Sequence, residues 1–383
     1  MIRVLTLFGT RPEIIKLAPV IRELEAQPER FATVNVASGQ HTDLLRPFVE
    51  LFGVRLDHDL RVMEPGQTPS GVCARVLTAV DPILERTRPD LVLVQGDTTT
   101  ALAGALAAFH RRIAVGHVEA GLRSGNPASP FPEEMNRRLI TQLASLHFAA
   151  TEHNRKTLLR EQVPADRILL TGNPVVDAVL HIRASARLPE RLARLIEATE
   201  GRRRILLTTH RRESLGSVML ENLRVLRRAL DARPDLCLIF PVHPNPGVVA
   251  AAREALDDHP RIHLVEPLGY AEFIGLLELC DLVVSDSGGV QEEAPSLGKP
   301  VLILRENTER PEAVDCGVAR LVGGRPERLA AMLDEVLADG SWAEHVRAVA
   351  NPFGRGDAAR RIAGAIVEWD RSLRGALAAV ECS

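Results

Sequence analysis

The sequence predicts an α/β protein of two domains, each built on a parallel sheet. Three observations carry this. Short apolar runs of strand type alternate with amphipathic helical stretches from the first residue onward, the pattern of parallel strands joined by helical crossovers and covered on both faces. The chain has 383 residues, more than the ~250–300 at which a single hydrophobic core stops growing. A second alternating series then begins at Ile205, after a charged stretch from Arg183 to Arg204 that reads as a solvated helix and connector.

Composition narrows the class. A hydrophobic fraction of 45% with 25% charged residues is that of a soluble globular protein. A net charge of −3 argues against nucleic acid as a partner, and 3% aromatic residues argue against stacking on single strands. The strand-like run Ile2 to Phe8 follows no charged leader, and no stretch approaches the ~18 apolar residues of a membrane span. A cytoplasmic protein with no membrane partner is expected. Cys73, Cys237, Cys280, Cys316 and Cys382 are scattered and lack metal-ligand spacing, so they read as core or surface thiols, and no metal is expected. No GxGxxG follows the first strand, and LGKP at Leu297 to Pro300 lacks the flanking residues of a phosphate loop. No cofactor is therefore expected.

The first strand, Ile2 to Leu7, leads into FGTRPEIIK. Thr10 and Glu13 have capping-box spacing around Pro12, and Ile14, Leu17, Ala18, Ile21 and Leu24 recur at helical spacing as core. Arg11 stands at the helix start, where the first loop of an open α/β sheet faces the ligand crevice. Thr33 to Ala37 is a second strand, followed by Gln40, His41 and an amphipathic helix through Phe52; another helix is expected from Thr68 to Glu85. The apolar strand Leu91 to Val94 puts Asp97 of QGDTTT at its carboxyl end, as an N-cap or a functional acid. Ile113 to Val118 is next, and period two puts His117 and Glu119 of GHVEAGLRSG on one side. Glu133 and Glu134 of SPFPEEMNRR open a helix, where the dipole favours carboxylates whatever their function. Asp97, Glu119 and Glu133 thus come from loops at one edge of one sheet.

A strand at Leu146 to Ala149 and a helix from Glu152 lead to Gly172, Asn173 and Pro174, which read as the domain boundary. Ile205 to Thr208 delivers THRRES with His210, Cys237 to Pro241 delivers VHPNP, and Ile262 to Val265 leads to EPLGY. After a helix at Ala271 to Leu279 comes DLVVSDSGGVQEEAPSLGKP, Asp281 to Pro300: a strand, a glycine turn and a short helix. Ser287, Gly288 and Gly289 could cradle a phosphate on the first helical amides, with Glu293 placed for ribose hydroxyls, or could simply turn the chain. Val301 to Leu304 is expected to close the sheet, and an amphipathic helix from Asp357 to Ala378 ends the chain.

FGTRPEIIK, QGDTTTALA, GHVEAGLRSG, PFPEEMNRR, TTHRRES, SDSGGVQEEAPSLGKPVL and ENTERPEAV resemble, in order and spacing, the signature segments of the bacterial non-hydrolysing UDP-N-acetylglucosamine 2-epimerases. The resemblance covers nearly the whole chain. It implies the glycosyltransferase-B architecture: two Rossmann-like domains, 1–172 and 173–359, facing a central cleft, with a C-terminal helix over 360–383 crossing back to the first. It further implies reversible inversion at C2 of UDP-N-acetylglucosamine to give UDP-N-acetylmannosamine, as a precursor for cell-surface polysaccharide, by a homodimer. By similarity, Asp97, Glu119, Glu133 and His210 match catalytic positions. Arg11, Lys16, Leu268, Phe273, Ser287, Gly288, Gly289, Glu293 and Arg310 match nucleotide-sugar contacts. Gln40, Glu134, Arg211 and His243 match part of a second, activating site, although Asp43 and Gly66 replace the Gln and Arg of some relatives. QGD in place of HGD and RENTERPE in place of RDTTERPE are two further departures.

The chemistry agrees with such residues. The C2 proton is not adjacent to a carbonyl, so direct abstraction would need an impractically strong base. Without a dinucleotide to oxidise a neighbouring carbon, the remaining route is elimination of UDP with loss of the C2 proton to a 2-acetamidoglucal, followed by re-addition. Alternatives are an epimerase for a modified UDP-acetamido sugar, a UDP-sugar-dependent glycosyltransferase of the same fold, a hydrolysing epimerase, and a catalytically silent nucleotide-sugar sensor.

Overall fold

The computed structural model describes residues 1–39, 42–185, 188–209 and 216–381. The chain divides into two units, Met1–Ala178 with Phe353–Ser383, and Val179–Pro352.

The first unit holds a seven-stranded sheet: β1 (Ile2–Phe8), β2 (Phe31–Ala37), β3 (His58–Asp59), β4 (Leu91–Gln95), β5 (Ala114–Ala120), β6 (Leu146–Ala149) and β7 (Ile168–Leu170). Their spatial order is β3-β2-β1-β4-β5-β6-β7, and every pairing is parallel. The crossovers are helices α1 (Arg11–Glu25), α2 (Thr42–Phe52), α3 (Pro69–Thr87), α4 (Thr99–His110), α5 (Glu133–Leu143) and α6 (Glu152–Arg160). β4 is buried throughout, as a central parallel strand covered on both faces must be. Gly104 of α4 lets that helix lie close on the sheet, since a Cβ there would meet Leu7 Cδ2 at 2.4 Å.

The boundary of this unit falls within helix α7 (Pro174–Ser185) rather than at the Gly172 turn. Asn173 explains the difference. It is buried, its amide donates to the Phe353 carbonyl at 2.7 Å, and so it ties the start of α7 to the returning chain. Asp177 of α7 then accepts the first amides of the C-terminal helix, from Ala359 at 3.1 Å and Ala358 at 3.3 Å.

The second unit has six parallel strands: β8 (Arg203–Thr208), β9 (Leu236–Pro241), β10 (Ile262–Val265), β11 (Leu282–Ser285), β12 (Val301–Ile303) and β13 (Ala319–Leu321), in the order β10-β9-β8-β11-β12-β13. The expectation that Val301 to Leu304 closes the sheet is corrected by β13. At three residues, only one of them fully buried, β13 is too short to show a period in sequence. Its helices are α8 (Glu190–Ala198), α9 (Ser217–Ala232), α10 (Pro246–Leu256), α11 (Tyr270–Leu279), α12 (Val290–Ser296), α13 (Pro311–Asp315), α14 (Pro326–Ala338) and α15 (Ser341–Ala348); α16 (Ala358–Glu381) belongs to the first unit. The charged connector resolves into the end of α7 and amphipathic α8, which buries Leu192. No helix among the described residues is long and apolar enough to cross a membrane.

Candidate active site

Each sheet has one switch point, between β1 and β4 in the first unit and between β8 and β11 in the second. Loops leaving two such strands diverge to opposite faces, and the crevice outside their carboxyl ends is where open parallel sheets bind ligands. Among the described residues, Arg11, Lys16 and Asp97 follow the strands at the first, and Ser287, Gly288, Gly289 and Glu293 follow a strand at the second.

In the first unit, β4 ends at Gln95, and Gly96 turns the chain with φ +69° to present Asp97. Asp97 is not the N-cap of α4. Thr98 takes that role, accepting from the Ala101 amide at 3.0 Å. Asp97 is instead held by α5: Arg137 Nη2 donates to its Oδ2, and Asn136 Nδ2 donates to its carbonyl at 2.9 Å. Arg137 is buried and also reaches Glu134 through Nη1 at 3.3 Å. Glu134 is fully buried and accepts from Arg138 Nε and the Ser124 amide, each at 2.9 Å. The carboxylate matched to a second site is therefore surrounded by donors of its own unit. Glu133, the first residue of α5, is half-buried and sits at the positive end of the helix.

Glu119 lies at a bulge in β5, with φ +67°, a conformation that costs a non-glycine residue on the order of 1–3 kcal/mol. The bulge interrupts period two and re-aims the carboxylate. Its oxygens receive three donors: Lys16 Nζ on α1, Gln95 Nε2 on β4 at 2.5 Å, and Asn173 Nδ2, just before α7, at 3.1 Å. Lys16 is buried against this carboxylate, whereas Arg11 is exposed with its guanidinium carbon 5.9 Å from the Phe48 ring centroid. His117 is fully buried, and burial pushes its pKa down to about 3. It is thus a neutral ring at ordinary pH, donating from Nε2 to the Gly96 carbonyl at 2.7 Å. That bond holds the turn that presents Asp97.

In the second unit, the ends of β8 and β11 are joined side to side. Thr208 and Ser285 hydroxyls are 2.6 Å apart, and Thr209 Oγ1 donates to buried Asp286 at 2.8 Å. The expected cradle of three amides is reduced by one, because the Ser287 amide donates to Ser285 Oγ at 2.9 Å. Gly288 and Gly289 follow directly, and Glu293 curls back so that its Oε1 lies 3.8 Å from where a Gly289 Cβ would stand. Neither glycine needs a positive φ. At Gly288 the requirement is space: a Cβ would meet Arg310 Nη1 at 2.9 Å. Arg310 is nearly buried and anchored through Nε to Glu292 Oε1 at 2.6 Å. Leu268 and Phe273 flank the start of α11 and are half-buried. His243 is exposed after β9, its Nδ1 accepting from the Asn245 amide at 3.2 Å. Gln40, His210 and Arg211 lie outside the described residues.

Sequence reasoning missed Gln95, Asn136, Arg137, Asn173 and Glu292. Arg137 had a signal, since it stands three and four residues after Glu134 and Glu133, the spacing of helical neighbours. Gln95 was visible only as a departure from HGD, and its contact with Glu119 puts that departure inside the site.

A family model described as UDP-N-acetylglucosamine 2-epimerase matches residues 22–367. The UDP-N-acetylglucosamine 2-epimerase of Salmonella typhimurium is 43% identical over 376 residues, covering 97% of this chain and 100% of that one. The chain belongs to the UDP-N-acetylglucosamine 2-epimerase family. It is an epimerase, and its fold agrees with solved structures of the family. The Neisseria meningitidis enzyme, solved with UDP-GlcNAc bound, superposes with a TM-score of 0.88 at 38% identity, over 96% of this chain and 100% of that one. The Methanocaldococcus jannaschii enzyme, solved with UDP-GlcNAc and UDP, gives 0.80 at 34% identity with the same coverage.

Proposed function

We propose that this epimerase interconverts UDP-N-acetylglucosamine and UDP-N-acetylmannosamine by eliminating UDP and adding it back. In the forward step the C2 proton passes to a carboxylate of the first unit. The C2–H electron pair becomes the C1=C2 bond of a 2-acetamidoglucal, and the C1–O bond breaks with its pair going to UDP. In the return step UDP attacks C1 and a proton is delivered to the opposite face of C2.

The observation that supports this best is that three carboxylates, Asp97, Glu119 and Glu133, stand at or beside the carboxyl ends of adjacent strands in one sheet. Two of them are already oriented by cations, Arg137 and Lys16. Positioned groups of this kind are what general acid–base catalysis needs. The other half of the chemistry, holding a departing diphosphate, falls to the glycine turn after β11 with Arg310 across it, and to His210. Ligand-bound relatives support UDP-GlcNAc as the substrate. Supply of a cell-surface polysaccharide precursor, by a cytoplasmic homodimer, completes the proposal on the family resemblance alone, and sedimentation velocity reads the oligomeric state.

The test is incubation with UDP-N-acetylglucosamine in deuterated water, followed by proton NMR. UDP-N-acetylmannosamine carrying deuterium at C2 is the expected product. Free N-acetylmannosamine as the main product, or an epimer that retains its C2 proton, would exclude the mechanism.

A further inference from the structure

The β1–α1 loop, Gly9 and Thr10, which leads into the helix carrying Arg11 and Lys16, and the β4–α4 loop, which carries Asp97, leave the switch point of the first sheet in different directions. One side chain bridges them. Glu13 is 1% exposed, and its two oxygens serve different loops. Oε2 accepts from the Gly9 amide at 3.0 Å, the Thr10 amide at 2.7 Å and the Thr10 hydroxyl at 2.8 Å. Oε1 accepts from the Thr98 hydroxyl at 2.7 Å, across 85 residues of sequence. A capping box needs only the contact with the Thr10 amide, the reach back to the N-cap, whereas the contact with Thr98 lies outside it. The Thr98 contact does nothing for α1 and fixes the residue that follows Asp97.

We propose that Glu13 is a positioning residue of the epimerisation, locking the Asp97 turn in register with the start of α1, the helix that carries Arg11 and Lys16. Asp97 is then held from both sides, by Asn136 and Arg137 of α5 and by Glu13 through Thr98. Proton transfer at C2 depends on that register, since a catalytic group displaced by about 1 Å can lose about a hundredfold in rate.

The bridge depends on shape and not on charge. Burial pushes the Glu13 carboxyl up to about 7 against the pull of its hydrogen bonds, so its neutral form is accessible. The neutral form keeps the bridge. A proton on Oε1 can be donated to Thr98 Oγ1, which has two lone pairs and gives only one to the Ala101 amide. Glu13→Gln reproduces that state, with its carbonyl facing the three donors and its amide facing Thr98.

The inference rests on Asp97 acting in proton transfer, and the experiment separates the two. Wild type, Glu13→Ala, Glu13→Gln, Thr98→Ala and Thr98→Ser are compared for kcat, KM and deuterium uptake at C2. Glu13→Ala and Thr98→Ala are expected to lose about a hundredfold in kcat and in C2 exchange, with KM within about threefold. Glu13→Gln and Thr98→Ser should restore most of the rate. Equal impairment of Glu13→Gln and Glu13→Ala, or a Glu13→Ala enzyme of near wild-type kcat, would overturn the inference. Should Glu13→Ala fail to fold, the Thr98 pair decides: alanine slow with serine fast supports the bridge, and equal rates refute it. Wild-type epimerisation without C2 exchange would remove the mechanism, and the inference with it.

Discussion

Asp97→Asn is expected to lower kcat by about a thousandfold, within the range that a positioned general acid or base contributes. The fold should survive. An asparagine carbonyl can still accept from Arg137, and the backbone carbonyl still accepts from Asn136. UDP affinity should be unchanged, because the groups assigned to the diphosphate belong to the second unit. Steady-state rates with calorimetric UDP binding check this. A variant with nearly normal kcat would take Asp97 out of the chemistry, and one that loses UDP binding as well would point to misfolding.

Arg137→Met should act on stability and rate together. The guanidinium is buried and reaches both Asp97 and Glu134, so its removal takes one cation from each carboxylate. Breaking a buried pair in this way costs about 3 kcal/mol. Arg138 and the Ser124 amide still serve Glu134, so the protein should fold, with a urea midpoint well below that of the wild type. The rate should fall by about a hundredfold as Asp97 loses its orientation. Arg137→Lys keeps a charge but cannot present a planar fork to two carboxylates, and should recover stability better than activity. A stability loss with unchanged kcat would make Arg137 purely structural.

Much of the fold was legible because the central strands are fully buried and therefore nearly all apolar: Leu91 to Val94 and Leu282 to Val284 need no partner to be recognised. The edges were not. β3 has two residues, and β7 and β13 have three, so none carries a period. The carboxylates proposed for proton transfer stood out through their motifs, but their supporting residues did not. Asn173 looked like a boundary turn because its two long-range partners, Glu119 and Phe353, are remote in sequence. The bulge at Glu119 was likewise hidden, since positive φ on a glutamate has no local signature. In the second unit, SDSGG suggested three amides for a phosphate. Only the structure shows Ser285 taking one of them, and Arg310, held by Glu292, explaining the glycine at 288.

The retention of UDP is what distinguishes elimination and re-addition from hydrolysis, and one isotope experiment reads it. UDP-N-acetylglucosamine is prepared with a heavy oxygen isotope only at the atom bridging C1 and the β-phosphate, and the label is followed by phosphorus NMR during turnover. Cleavage of the C1–O bond frees the β-phosphate to rotate before it attacks again through any of its three terminal oxygens, so most of the epimer formed should carry the label in a non-bridging position. Epimer accumulating while all of the label stays in the bridge would contradict elimination with release of a freely rotating β-phosphate.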